Sequence, residues 1–125
     1  MLGMFGGTEA CGVMAETRRI PAMQAVDGTR LPAFRYTWEQ ERFNPVTNDL
    51  FCSIHFEVPG RRPMRRAFTY DWRLWSLPEV RELLSEAGFR ESRAYVDMGD
   101  SSGVYRRRTS FENIPGWLAL VAGIK

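Results

Sequence analysis

Phe68-Thr69-Tyr70-Asp71-Trp72-Arg73-Leu74-Trp75-Ser76-Leu77-Pro78-Glu79-Val80-Arg81-Glu82-Leu83-Leu84-Ser85-Glu86-Ala87-Gly88-Phe89 reads as an aromatic strand, a capped helix and a glycine stop. Ser76 is a good N-cap, because its hydroxyl accepts from the free N–H groups of the first turn. Glu79, three residues on, completes a capping box. Pro78 falls in the first turn, where its missing N–H does no harm. Val80, Leu83, Leu84 and Ala87 repeat at i, i+3, i+4, i+7 and form one apolar stripe. Arg81, Glu82, Ser85 and Glu86 cover the other face. Gly88 suits the left-handed conformation that ends a helix, and Phe89 can pack back on it.

Upstream of this run the chain alternates. Phe34, Tyr36 and Trp38 oppose Arg35, Thr37 and Glu39, which predicts a strand over 34–43 with one aromatic face. Asn44-Pro45-Val46-Thr47-Asn48-Asp49 is turn chemistry. Residues 50–58 form a second strand, with Leu50, Cys52, Ile54, Phe56 and Val58 on one side and Phe51, Ser53, His55 and Glu57 on the other. After a turn at 59–63, Met64, Arg66, Phe68, Tyr70 and Trp72 fall in phase on a third strand. Three strands with short turns predict an antiparallel meander. Nearer the start, Leu2 to Phe5 is an apolar stub. Thr8 is a candidate cap for a helix over 9–19, with Ala10, Val13, Met14 and Thr17 on one side and Gly12 weakening it. Residues 21–32 read as loop. Beyond the capped helix, 90–98 reads as strand, 99–109 as a polar loop and 117–124 as a final apolar strand.

The 125 residues suffice for one domain, burying roughly two-thirds of the extended surface. No linker or repeat interrupts them, so the expected organisation is a single unit, 1–125, with an antiparallel insert over 33–73. A net charge of +2 does not argue for nucleic acid. Arg61-Arg62, Arg65-Arg66 and Arg106-Arg107-Arg108 are read as solvated turn and strand-edge residues rather than as a phosphate or nucleic-acid site. Cys11 and Cys52 form no CxxC pair and no disulfide framework, so a reducing cytoplasm is the expected compartment. His55 has no Cys or His partner at ligand spacing, and no zinc site is expected. There is no apolar run of membrane-spanning length and no signal peptide.

The order of elements resembles the C-terminal half of the class I S-adenosylmethionine-dependent methyltransferases, in a bacterial subgroup with a hairpin insert before the last helix. The resemblance rests on Met4-Phe5-Gly6-Gly7-Thr8-Glu9-Ala10, Tyr36-Thr37-Trp38-Glu39-Gln40, Phe43-Asn44-Pro45-Val46-Thr47, Ile54-His55-Phe56 and the opening run, with Trp117 to Lys125 similar to the family's last strand. It covers nearly the whole chain apart from 21–33. The fold it implies is α/β: a partial Rossmann-like methyltransferase sheet with a three-stranded antiparallel insert, two main helices and a C-terminal antiparallel strand pair. Leu2 to Phe5 resembles the fifth strand of that sheet, with Gly3 where the subgroup often has an acidic residue. The family binds S-adenosylmethionine in its N-terminal half, on a glycine-rich turn and an acidic residue that holds the ribose hydroxyls. Neither is present here, since Gly3-Met4-Phe5-Gly6-Gly7 is not G-x-G-x-x-G.

The resemblance therefore implies the acceptor-side portion of a methyltransferase, one that binds no S-adenosylmethionine and catalyses nothing alone. Its partners would be a small-molecule methyl acceptor in the complete enzyme and the missing N-terminal half or a second copy of the chain. Nucleic acid and membrane are not expected as partners. A C-terminal fragment, from a truncated gene, a late start codon or a split reading frame, is the favoured origin, because the stub starts at Met1 with no capping element; a small stand-alone protein is the other. The pocket candidates are Tyr36, Trp38, Glu39, Tyr70, Trp72 and Arg73 for the acceptor, with His55 as a general base. Each has a plainer reading. The four aromatics can be core, Glu39 can pair with an arginine, His55 can be a hydrogen-bonded structural residue, and Arg73 can pair with Asp71 or Glu79. A different class of function also stands: a non-catalytic binding or assembly module that pairs through the exposed strand edge at 2–5. A small-ligand barrel is disfavoured, because one meander supplies too few strands.

Overall fold

The computed structural model describes residues 1–100 and 102–125; Ser101, within the stretch read as loop, lies outside them. The elements in chain order are β1 (Leu2–Gly6), β2 (Met14–Ile20), β3 (Met23–Gln24), β4 (Arg30–Leu31), β5 (Phe34–Asn44), β6 (Asp49–Glu57), β7 (Met64–Arg73), α1 (Leu77–Glu86), β8 (Glu91–Asp97), β9 (Arg106–Arg108) and β10 (Trp117–Ile124). Strand accounts for 52% of the described residues and helix for 8%. All the paired strands run antiparallel. The chain is thus mainly antiparallel β with a single helix among the described residues, and the expected α/β, Rossmann-like fold with two main helices is corrected. Two compact units form, one from Gly12–Arg73 and one from Met1–Cys11 with Leu74–Lys125.

The helix expected over 9–19 is the main error. Residues 8–11 make a turn, and Met14–Ile20 is strand β2, paired with β5 from Met14↔Gln40 to Ile20↔Phe34. The helical stripe of Ala10, Val13, Met14 and Thr17 depended on crossing Gly12, which costs about 1 kcal/mol in a helix. As a strand the same segment gains a full ladder of backbone bonds and a cross-strand hydroxyl pair, Thr17 Oγ1 to Thr37 Oγ1 at 2.9 Å, the kind of contact that stabilises sheets.

The Gly12–Arg73 unit is a four-stranded sheet in the order β2-β5-β6-β7. The expected meander is present at β5, β6 and β7. Asn44 closes its first turn by accepting from the Val46 N–H at 2.9 Å, and Asn48 takes the left-handed conformation at φ 62°. Leu50 and Cys52 are fully buried, as is Ser53. The ladder shifts twice, between Gln40 and Arg42 on β5 and between Ile54 and Phe56 on β6. Opposite the second shift Arg66 sits at φ 49°, and its guanidinium pairs with Glu41. This bulge removes Arg66 from the alternating phase expected of β7. Within the stretch read as loop, β3 and β4 form a short hairpin around Gly28.

The other unit is a four-stranded sheet in the order β1-β10-β8-β9, with α1 packed on one face. The sequence between Asp71 and Phe89 does what its pattern says. Ser76 Oγ accepts from the Glu79 N–H at 3.3 Å, and Glu79 Oε1 accepts from the Ser76 N–H at 3.2 Å. At the other end Gly88 has φ 92°, its N–H donates to Ser85 O, and the Phe89 N–H donates to Leu84 O. That bond pair is a Schellman motif. It places the Phe89 ring on β10 at Gly123, where a Cβ would lie 2.7 Å from the ring. The 99–109 stretch contributes β9, paired with β8 through Ala94↔Arg108, Tyr95↔Arg107 and Val96↔Arg106; this corrects its reading as loop throughout. Val96, Ala119 and Val121 form the buried centre of the sheet, with Val80 of α1 above them. Among the described residues no helix is long and apolar enough to cross a membrane.

Candidate functional site

The alternation of β5, β6 and β7 divides the expected pocket residues between two faces of one sheet. Directly opposed residues share a face. Trp38 opposes Ile54, Tyr36 opposes Phe56, Cys52 opposes Tyr70 and Leu50 opposes Trp72. Tyr36, Trp38, Tyr70 and Trp72 therefore share the aromatic face. Trp38 lies 6.1 Å from Tyr70 and 6.3 Å from Trp72 between ring centroids, and Tyr70 and Trp72 lie 4.4 Å apart with their planes tilted by 37°. The cluster continues through Phe56, which makes edge contacts to Phe34, Tyr36 and Phe68. Burial pushes the Tyr36 phenol above its usual range, with a smaller push from Tyr70. The face is nevertheless partly open: Trp72 retains 41% of its surface and Phe68 56%.

One buried polar residue organises this face. Gln40 is the next residue in the alternating phase after Phe34, Tyr36 and Trp38, and it is 5% exposed. Its Nε2 donates to Gly12 O at 2.6 Å, and its Oε1 accepts from the Trp38 indole N–H at 3.2 Å. The indole is thereby held at a fixed angle through a side chain that is itself held by the backbone. A polar residue in phase with an aromatic stripe was the available signal for this role.

Glu39 and His55 lie on the opposite face, where Glu39 opposes Ser53 and Thr37 opposes His55. His55 Nε2 sits 2.6 Å from Glu39 Oε2 and 3.3 Å from Ser53 Oγ. The Arg66 N–H donates to His55 Nδ1 at 2.8 Å. An N–H only donates, so Nδ1 must accept and the ring proton resides on Nε2, pointed at the Glu39 carboxylate. Both ring nitrogens are thus engaged, and abstracting a proton would require breaking one of these bonds. Phe51, next along this face, carries the Arg42 guanidinium at 4.6 Å over its ring. Arg73 opposes Asp49 on this face, at the end of β7. The sheet brings the four aromatics together and brings Glu39 to His55, but it separates these two groups. Nothing in the sequence announced Arg66 as the partner of His55, because that contact depends on the bulge.

The remaining chemistry is sparse. Cys52 is buried and its thiol is pushed up to about 11 by burial, with Glu41 adding to the effect. Among the described residues no group of three or more His, Cys, Asp and Glu could hold a metal ion. The Gly6-Gly7 pair is not a cradle for S-adenosylmethionine. A Cβ on Gly6 would meet the Trp117 ring at 2.2 Å, and one on Gly7, at φ 129°, would meet Pro115 O at 2.2 Å. The chain's own atoms fill the space a ligand would need, so these residues do not fit the cofactor. No protein-family model matches the chain, and neither the curated proteins nor the solved structures yield a significant match.

Proposed function

We propose that this chain is the C-terminal, acceptor-side portion of an S-adenosylmethionine-dependent methyltransferase, and that it neither binds S-adenosylmethionine nor transfers a methyl group alone. The observation that carries this reading is the position of β10. It lies between β1 and β8 and is antiparallel to both, so β1 and β8 run parallel, with α1 leading into β8. The resemblance likens β1 to the family's fifth strand and β10 to its last, and their adjacency here supports the family reading without restoring a Rossmann-like sheet. Among the described residues nothing pairs with the outer edge of β1. Beside that edge lies a groove of about 370 Å³ lined by Leu2, Met4, Trp75, Val80, Leu83 and Leu84. An apolar groove beside an unpaired edge is what a sheet leaves when its neighbours are supplied from elsewhere.

Methyl transfer needs the acceptor held in line with the sulfonium carbon more than it needs covalent help. The half-open face of Tyr36, Trp38, Tyr70 and Trp72 suits a planar or apolar acceptor, or a cationic one held over the rings. Glu39 and His55 then act behind that wall, tying β5, β6 and β7 together. The test is to read the frame upstream of the Met1 codon and co-express any encoded strand–turn–helix segment with this chain. A complex that binds S-adenosylmethionine in calorimetry is expected, while the chain alone shows no heat. Micromolar binding by the chain alone, or an upstream segment that yields no binding complex, would overturn the reading. The open β1 edge also favours a second reading, an assembly module that pairs strand to strand with its own copy. Light scattering separates the two, because a well-folded monomer at high concentration removes the second.

A further inference from the structure

The arginines of the helix-bearing unit divide into two groups by face. On β8, Glu91, Arg93 and Tyr95 point to one side and Ser92, Ala94 and Val96 to the other. Arg107 opposes Tyr95, and on that side Glu91 is bound by both Arg93 at 2.7 Å and Arg107 at 3.3 Å. Those two charges are answered. Arg108 opposes Ala94 and so joins Ser92 on the helix side. There Arg81 of α1 donates from Nε to Ser92 Oγ at 3.0 Å. Arg81, Arg90 and Arg108 line one groove between α1 and the β8–β9 edge, and among the described residues none of the three is in an ion pair. Glu82 and Glu91 are the two acidic residues along it, the Glu91 carboxylate being already paired on the opposite face. The groove measures about 680 Å³, within the range of small-molecule sites. Ser85, Ser92, Thr109 and Ser110 add hydroxyls to it, and Phe89 and Phe111 add apolar surface.

Three guanidinium groups with hydroxyls beside them match the several oxygens of a dianion better than the two of a carboxylate. The neighbouring aromatic surface matches an apolar body attached to it. We propose that this groove binds the phosphate of a phosphorylated small molecule, with Arg81 and Arg108 as its principal donors. The Phe89 and Phe111 surface beside the arginines favours a small ligand with an apolar body over a nucleic-acid backbone, which would engage Arg107 equally.

Phenyl phosphate is the probe, titrated calorimetrically into the intact chain at low salt, with benzoate, inorganic phosphate and a single-stranded oligonucleotide as comparators. Saturable binding of phenyl phosphate is expected, about tenfold or more tighter than benzoate or inorganic phosphate. R81Q and R108Q should each weaken it by about tenfold, one charge-assisted contact's worth, and R107Q should leave it within about twofold. Circular dichroism checks that each variant keeps the fold; all three arginines are exposed. Absence of saturable binding overturns the proposal. So does R107Q weakening phenyl phosphate as much as R108Q, or an oligonucleotide that binds tighter than phenyl phosphate and loses affinity alike in all three variants.

Discussion

Gln40→Leu keeps the side-chain volume and removes both ends of the bridge between Gly12 and Trp38. The groups that lose a partner include the Gly12 carbonyl and the Trp38 indole N–H. A buried polar group left unpaired costs about 1–3 kcal/mol. Gly12 and Trp38 are both half-buried, so water recovers part of this and about 1–1.5 kcal/mol applies to each. Leucine returns about 1 kcal/mol through its additional buried apolar surface. The net loss is therefore about 1–2 kcal/mol. With a urea dependence of about 1 kcal/mol per molar for a sheet of this size, the unfolding midpoint falls by about 1–2 M. Far-UV circular dichroism is the readout, because four tryptophans complicate fluorescence. Trp38→Phe removes the donor together with part of the ring that packs on Tyr70 and Trp72, and a cycle with the double variant isolates the pair. A coupling of about 0.5–1.5 kcal/mol is expected for a hydrogen bond of this kind. A Gln40→Leu protein as stable as the parent, or losses that add to within about 0.3 kcal/mol, would refute the idea that Gln40 holds the indole.

Gly123→Ala places a methyl group against the Phe89 ring and should cost about 1–3 kcal/mol in a thermal melt, with part of the loss recovered when Phe89→Leu is added; equal losses in the presence and absence of Phe89 would contradict the contact. Iodoacetamide should label Cys11, which is exposed, in the native protein and Cys52 only on unfolding, since that thiol is buried and raised to about 11; mass spectrometry of the native sample showing labelled Cys52 would contradict this. The Arg93 hydrogen bond, aided by the Arg93, Arg107 and Arg90 charges, holds the Glu91 carboxyl below its usual range. A lowered folded pKa stabilises above the unfolded value, about 4.3, and loses that contribution as pH falls through the folded one. Glu91→Gln should therefore melt below the parent at pH 7, and the two should converge as pH falls toward 3; a constant gap across that range would show that the ion pair is not responsible.

The sequence was most legible where local signals agreed with tertiary demands. Ser76, Pro78, Glu79 and Gly88 each satisfy a backbone requirement at a helix end, so the helix could be read without knowing its neighbours. The aromatic stripe on β5 to β7 was equally open, because period-two alternation needs only one buried face. Residues 14–20 were not legible: Met14-Ala15-Glu16-Thr17-Arg18-Arg19-Ile20 alternates too weakly, and what makes it strand is the free edge of β5, twenty residues away. Arg106–Arg108 became strand for the same reason, through pairing with β8. The site was readable to the extent that the four aromatics share a face. The division of Glu39 and His55 from them follows from alternation alone. The engagement of both His55 nitrogens does not, because it depends on a left-handed residue in a bulge.

Phe89 also has a bearing on how the helix-bearing sheet assembles. Strand β10, Trp117-Leu118-Ala119-Leu120-Val121-Ala122-Gly123-Ile124, is apolar on both faces, and such a strand has no polar row to tell it which way to align. A slip of one residue against β8 would bring Ala122 or Ile124 under the ring, and a slip of two would bring Val121. Only Gly123 leaves room. The aromatic residue that closes the helix thus works as a gauge for the strand beneath it, admitting one alignment out of several that hydrophobicity alone would accept.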